Sequence, residues 1–358
     1  MKGLTSLSLT VVVCLFIGAV SAFGQNAYRI SGPYTHQNLT IFLIHGEDIN
    51  NNKSLITLQE AMEMKVFKVY ETEDVNELIV ENISPKYDVF IQSGDIVKGG
   101  KQDRVLAISI IVPRNSGKVS IEAFCVESDR WDGRGDENEK EFSSSEERIV
   151  SRELKIAANG PGTASGSGTG SGSGSASGAA PPPPTRGSQT AVWNEVANAQ
   201  RNISANVTVD VTANSSATSL QLSLENKKLV RTREEFAKNF ADLLKGKTDV
   251  IGYAFAINGE INSADIYVSN HLFAKLWPKM LNATVTEEIS LADQAKAESE
   301  PTVGDISSFL TAANKGIPKE RQTVAKSKAV TRASENEVVY EARDKANVAI
   351  HRSYVKLN

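Results

Sequence analysis

Two polar clusters flank a pair of β-branched runs between Gly94 and Trp131, and this stretch restricts the fold more than any other in the chain. It opens GDIVKGGKQDR and closes CVESDRW. Between them lie residues 105–112 (VLAISIIV) and 118–124 (KVSIEAF), separated by Pro113-Arg-Asn-Ser-Gly117, a turn composition. The pattern predicts a hairpin. With Val112 opposite Lys118, antiparallel register carries Arg104 to Val126. Lys101, Gln102, Asp103 and Arg104 then meet Glu127, Asp129, Arg130 and Trp131 at the open end. Two clusters distant in sequence become one site.

The remaining segments predict an α+β fold: an antiparallel β-rich domain with several packed helices. Residues 39–45 (LTIFLIH), 66–70, 77–81 and 88–92 read as strands. Thr57 and Glu60 have capping-box spacing at the head of a short helix over 57–64. Residues 190–204 place Val192, Trp193, Val196, Ala197 and Ala199 near one helical face. Residues 220–224 alternate as a short strand. Thr232 and Glu235 form a second capping box, predicting a helix with Phe236, Phe240, Leu243 and Leu244 inward and Gly246 as its stop. Residues 249–257 and 261–268 are strands joined at Asn258-Gly259, a strong hairpin signal. Asn270 caps a helix that Pro278 should bend. A further helix is expected over 306–314, and late strands over 322–330, 337–340 and 349–357.

The first 24 residues combine Lys2, an apolar run over 4–20 and small residues at Ser21, Ala22 and Gly24, which reads as a signal peptide. The run is short for a membrane span, so the expected mature chain is secreted or periplasmic, with no span once the signal is removed. Of the two cysteines, Cys14 leaves with that segment and Cys125 remains alone, so the mature chain has no disulfide to hold it. The formal net charge of −4 argues against a nucleic-acid-binding face.

The paired clusters have the composition of an anion or nucleotide-like pocket. Arg104 and Arg130 offer planar forks to phosphate or carboxylate, Lys101 a point charge, Gln102 an orienting amide and Trp131 a stacking surface. Gly99 allows a close backbone approach to a ligand or simply makes a bulge. Asp95 or Glu127 is the candidate general base. The competing reading is that Arg104 and Glu127 form a cross-strand ion pair that only steadies the hairpin. Cys125 is a possible nucleophile, but a small buried residue is the commoner case. His36, His45, His271 and His351 lack metal-ligand spacing, so no metal site is expected, and no cofactor is named by any motif. The acidic run at 132–147 reads as a solvated segment. Residues 160–187, rich in Gly, Ser and Pro, read as a flexible coil.

GDIVKGGKQDR with CVESDRW resembles the family of domains named for association with ADP-ribosylglycohydrolase and rhodanese-phosphatase proteins, the first of that name. Residues 187–200 (GSQTAVWNEVANAQ), 251–281 and the closing strand with His351 are similar to the same family in the same order. The resemblance therefore implies one domain over 26–358, interrupted by a loop at 160–187, rather than two domains joined by a linker. The positions that match the family's motif are Asp95, Gly99, Lys101, Gln102, Arg104, Cys125, Glu127, Arg130 and Trp131. Ser128-Asp129 stands where the family has a shorter, glycine-containing step. The resemblance implies a part in metabolism of ADP-ribose or other NAD-derived compounds, a role proposed for the family from gene neighbourhood, and it implies no particular reaction. The expectation is an extracytoplasmic domain that binds a small anionic, phosphorylated nucleotide-like ligand and hydrolyses it, if it is an enzyme at all. The alternative is a noncatalytic envelope protein with an interaction or structural role.

Overall fold

The computed structural model describes residues 28–49, 54–130, 132–133, 139–160, 187–297 and 299–357. The segment read as a signal peptide, most of the Gly/Ser/Pro stretch and Trp131 lie outside the described residues. In chain order the first half contains β1 (Arg29–His36), β2 (Leu39–His45), β3 (Leu55–Thr57), α1 (Leu58–Glu63), β4 (Phe67–Tyr70), β5 (Glu77–Asn82), β6 (Asp88–Ile91), β7 (Asp95–Gly99), β8 (Arg104–Leu106), β9 (Ile110–Val112), β10 (Gly117–Cys125), β11 (Phe142–Arg148) and α2 (Arg152–Asn159). The second contains α3 (Gln189–Val207), α4 (Leu220–Leu224), α5 (Lys227–Ala237), β12 (Val250–Ile257), β13 (Glu260–Tyr267), α6 (Asn270–Leu291), α7 (Val303–Ala313), β14 (Lys319–Gln322), β15 (Lys328–Ala333), β16 (Glu337–Arg343) and β17 (Ala349–Lys356).

These strands form an eight-stranded sheet in the order β1-β2-β12-β13-β17-β16-β15-β14, a six-stranded sheet β11-β7-β8-β10-β5-β4 and a three-stranded sheet β3-β6-β9. Nearly all pairings are antiparallel, the exception being β3 with β6. The fold is α+β and β-rich, as the sequence predicts.

The eight-stranded sheet is buried on both faces at its centre, because period-two alternation sends successive apolar residues of one strand to different cores. In β2, Leu39, Ile41 and Leu43 join a core with α3, α5 and α6. Phe42 and Ile44 join a second core with Ile306, Phe309 and Leu310 of α7. β12 and β13 turn at Asn258 and Gly259, both with positive φ (55° and 82°), the left-handed pair that a two-residue type I′ hairpin demands. The ends of the undescribed segment 161–186 lie together: Ser188 N–H donates to Ala157 O at 3.0 Å, so α3 begins where α2 stops.

Several expectations are corrected. The runs at 105–112 and 118–124 do not form one hairpin. Residues 110–112 leave to pair with β6, residues 117–122 pair with β5, and Asn82 Nδ2 donates to Val112 O at 3.0 Å at the crossing. The Pro113–Gly117 turn is therefore a corner between sheets. Only the open end pairs as expected in kind, with Cys125 rather than Val126 opposite Arg104.

Residues 220–224 are helical, because Ser219 Oγ accepts from Leu222 N–H at 3.2 Å and caps a turn. The helix expected to open at Thr232 starts at Lys227, capped by Asn226 Oδ1, which accepts from Lys228 N–H at 2.9 Å. Thr232 sits inside it and donates back to Lys228 O. Residues 322–330 are not one strand, since a short 3₁₀ turn at Val324–Lys326 divides β14 from β15. The cap of α6 is Ser269 rather than Asn270, and the helix runs on to Leu291 with Pro278 inside it.

Candidate functional site

The signature corner forms where β7, β8 and β10 meet. Gly99 and Gly100 turn the chain with φ of 112° and 59°. A Cβ on Gly99 would lie 2.5 Å from Glu141 O, which leaves no room for any side chain there. Gln102 ties the two clusters together: its Nε2 donates to Glu127 O at 3.0 Å and also to Arg130 O. Trp193 Nε1–H reaches the same Glu127 carbonyl at 3.2 Å. Gln189 of α3 accepts from Cys125 N–H and donates to Cys125 O, both at 2.8 Å, and so acts as a strand partner for the end of β10.

The charges are paired differently from the expected Arg104–Glu127 couple. Arg104, fully buried, bonds Glu71 Oε1 at 2.8 Å and Asp74 O at 3.2 Å. Glu127 lies 2.8 Å from Arg130. The two charges of that second pair are close without being aligned as a hydrogen bond. Gln102 Oε1, Arg104 Nε, both Glu127 oxygens, and Arg130 Nε and Nη2 are buried without a hydrogen-bond partner.

Lys101 stands at the rim, ion-paired with Glu73 at 3.0 Å, which raises the lysine's pKa. Burial pushes the Cys125 thiol up to about 11, so it is a packed residue and not a thiolate at neutral pH. Asp95 is not held by this cluster. It pairs with Lys279 of α6 at 3.2 Å and accepts from Gln92 N–H.

Asp95 belongs instead to a buried charged seam between α2, α6, β13 and β17, most of which was not foreseen from the sequence. Asp265 lies 3.6 Å from Lys155 Nζ and 3.0 Å from His351 Nε2. His351 Nδ1 lies 3.0 Å from Ser109 Oγ. Arg148 donates to Ser93 O at 2.6 Å, and Asn159 Nδ2 to Ser93 Oγ at 2.8 Å. Burial alone would raise Asp265, but Lys155, His351 and Arg148 outweigh it and hold its carboxylate well below the usual range. Burial depresses Lys155 and His351, opposed in each case by Asp265. The seam had one legible sign. Charges interrupt apolar patterns at Asp265 in β13, Lys155 in α2, and Glu287 and Glu288 in α6.

Among the described residues two hollows of some hundreds of cubic ångströms open to solvent. The larger, about 540 Å³, sits at one end of the eight-stranded sheet and is lined by Tyr28, Arg29, His45, Glu47, Asp249, Tyr267 and Arg352 among others. Arg29 bonds Asp249 Oδ2 at 2.6 Å, and His45 Nδ1 lies 3.0 Å from Asp249 Oδ1. The hydrogen bond from His45 and the charge of Arg29 hold Asp249 below its ordinary pKa. Arg352 is held by Glu341 and by Tyr28 Oη at 3.0 Å.

The smaller hollow, about 300 Å³, is lined by His36, Asn206, Thr232, Glu235 and Glu288 among others. Burial pushes Glu288 up to about 7. None of the candidate site residues of the signature corner lines either hollow. Among the described residues no group of three or more His, Cys, Asp or Glu side chains is placed to hold a metal ion. No helix among them is long and apolar enough to cross a membrane.

Residues 27–355 match the family described as the ARG and Rhodanese-Phosphatase-superfamily-associated Protein domain. No curated protein and no solved structure matches the chain.

Proposed function

Since the chain belongs to the family of ARG and Rhodanese-Phosphatase-superfamily-associated Protein domains over nearly its whole length, we propose that it binds a phosphorylated, nucleotide-like small molecule of the kind derived from ADP-ribose or NAD, outside the cytoplasm. The observation that supports this reading is the 540 Å³ hollow with two guanidinium groups, Arg29 and Arg352, beside the ring of Tyr28. Its volume suits a ligand of nucleotide size. Arginine forks match phosphate oxygens, and aromatic faces match a base. Placement outside the cytoplasm rests on the apolar leader alone.

A second location has its own support. Arg104 Nε and Arg130 Nε, buried donors without a hydrogen-bond partner, are the polar inventory that a small anion or ordered water would satisfy. Gly99 and Lys101 would border such a site, with Glu127 as its base, and Trp131, which lies outside the described residues, is the proposed stacking group. Asp95 is tied to Lys279, so a role for it as a base belongs to the neighbouring seam.

Calorimetric titration of the mature protein with ADP-ribose, AMP and inorganic phosphate separates the two. Ile49 is 61% exposed and lines the hollow, so Ile49→Glu sets a carboxylate at the ligand's edge with little cost to folding. Severalfold weaker binding in Ile49→Glu and unchanged binding in Arg130→Gln supports the hollow; the reverse supports the corner. Absence of heat with every nucleotide, from protein that remains folded, removes the proposal.

A further inference from the structure

The larger hollow also carries a hydrogen-bond relay that the ligand reading does not use. Ser31 of β1, His45 at the end of β2 and Asp249 just before β12 come from neighbouring strands of one sheet. The register sets Arg29 opposite His45, and strand alternation puts Ser31 on the same face as Arg29. Ser31 thereby becomes the diagonal neighbour of the imidazole. Its Oγ lies 2.7 Å from His45 Nε2, and His45 Nδ1 lies 3.0 Å from Asp249 Oδ1.

This is the order of nitrogens that nucleophilic serine chemistry requires. A carboxylate accepting from Nδ1–H leaves the Nε2 lone pair to take the serine proton. His45 is 5% exposed and lines the hollow, so the base is shielded from bulk water yet faces the space where a ligand would lie. Ser31 is half-buried on an edge strand that a bulge interrupts between Ser31 and Tyr34.

We infer that Ser31, His45 and Asp249 form a nucleophile, a base and a positioning carboxylate that hydrolyse a carboxylic ester whose alcohol portion occupies the hollow. The inference rests on the reading of that hollow as the ligand site. In the first step Ser31 Oγ attacks the ester carbonyl carbon while its proton passes to His45 Nε2. The tetrahedral adduct then collapses, and the departing alkoxide takes that proton and leaves as the alcohol. A water attacks the acyl-serine, gives its proton to His45, and the acid departs as His45 returns the proton to Ser31.

Arg29 bears on the relay, because its Nη2 lies 2.7 Å from His45 Nδ1 as well as 2.6 Å from Asp249 Oδ2. A guanidinium N–H can only donate, so while it bonds Nδ1 the imidazole proton sits on Nε2 and points at Ser31 Oγ, the reverse of the reactive tautomer. In the reactive arrangement Arg29 bonds the carboxylate alone, a small movement for a side chain that is 63% exposed.

A similar chain, Ser109–His351–Asp265, does not qualify. His351 is 2% exposed, closed between the rings of Tyr267 and Phe90, and lines neither hollow, whereas His45 and Asp249 both line the larger one.

The test is reaction of the folded protein with an alkyl fluorophosphonate, read by intact mass and peptide mapping. Ser31 Oγ displaces fluoride from phosphorus as His45 takes the proton. The expected result is a single adduct on Ser31, absent in Ser31→Ala and His45→Ala. In Asp249→Asn, labelling slows at least tenfold, and Asp249→Glu restores most of the rate. A merely structural aspartate would leave the labelling rate of the folded Asp249→Asn variant unchanged. No adduct on folded wild-type protein, or an adduct only on another serine such as Ser109, overturns the inference. Calorimetry with ADP-ribose on Ser31→Ala keeps the two readings apart. Nucleotide binding without a Ser31 adduct removes the relay and leaves the ligand site; an adduct without nucleotide binding does the opposite.

Discussion

Replacing Glu287 by Gln should stabilise the protein at alkaline pH and do nothing at acid pH. Glu287 lies in α6 with its Oε1 accepting from Arg152 N–H and from Asn262 Nδ2, both at 2.8 Å. Burial, reinforced by the charge of Glu153, pushes its carboxyl up from 4.5 to about 7. The sign follows from linkage. A carboxyl whose folded pKa is raised holds a proton that the unfolded chain releases, so stability is full below about pH 4.5 and falls as pH rises toward 7. The change from 4.5 to about 7 corresponds to about 3 kcal/mol lost above neutrality.

Glutamine is nearly isosteric, keeps an oxygen for both donors and carries no charge to desolvate. Wild type and Glu287→Gln should therefore unfold together in urea at about pH 4. At pH 8 the variant's midpoint should be higher by about 1 M, taking a slope of about 3 kcal/mol per molar for a chain of this size. Glu288, also raised to about 7, is present in both proteins and drops out of the difference. Equal midpoints at pH 8, or a variant weaker at both pH values, would refute the burial argument.

Two further predictions concern the signature corner. Arg104→Met removes the cation that neutralises Glu71, whose side chain is 8% exposed, and should cost about 3–5 kcal/mol as an uncompensated buried charge. Adding Glu71→Gln should return about 2 kcal/mol or more, and strict additivity in this double-mutant cycle would show that the pair is not coupled. Cys125, fully buried and with its thiol pushed up to about 11, should resist iodoacetamide at pH 8 in the folded protein and react within minutes in denaturant. Rapid alkylation of the native chain would contradict the placement of β10.

Much of the corner was legible before any coordinates, because its residues are local to strands with strong β propensity and a compact turn. That Gln102 and Arg130 would meet follows from antiparallel pairing near Arg104. That Arg104 would take Glu71 as its partner does not, since Glu71 arrives from beyond β4 through a sheet whose order no pattern of alternation specifies. The same limit explains the runs read as one hairpin. A turn composition at Pro113–Gly117 says that the chain reverses locally, but not whether each arm finds the other or a more apolar neighbour. Here β5 and β6 won, and Asn82 bound the crossing.

The caps at Thr57 and the hairpin at Asn258-Gly259 were decided by the chain itself, because a side chain a few residues away or a left-handed φ sets them whatever surrounds them. So were the α+β class and the buried centre strand of the large sheet. Tertiary structure alone assembled the seam around Asp265, Lys155 and His351, and the relay of Ser31, His45 and Asp249. Each draws its members from segments far apart in sequence, and only strand order and register, chosen by the packing of whole cores, bring such groups within bonding distance.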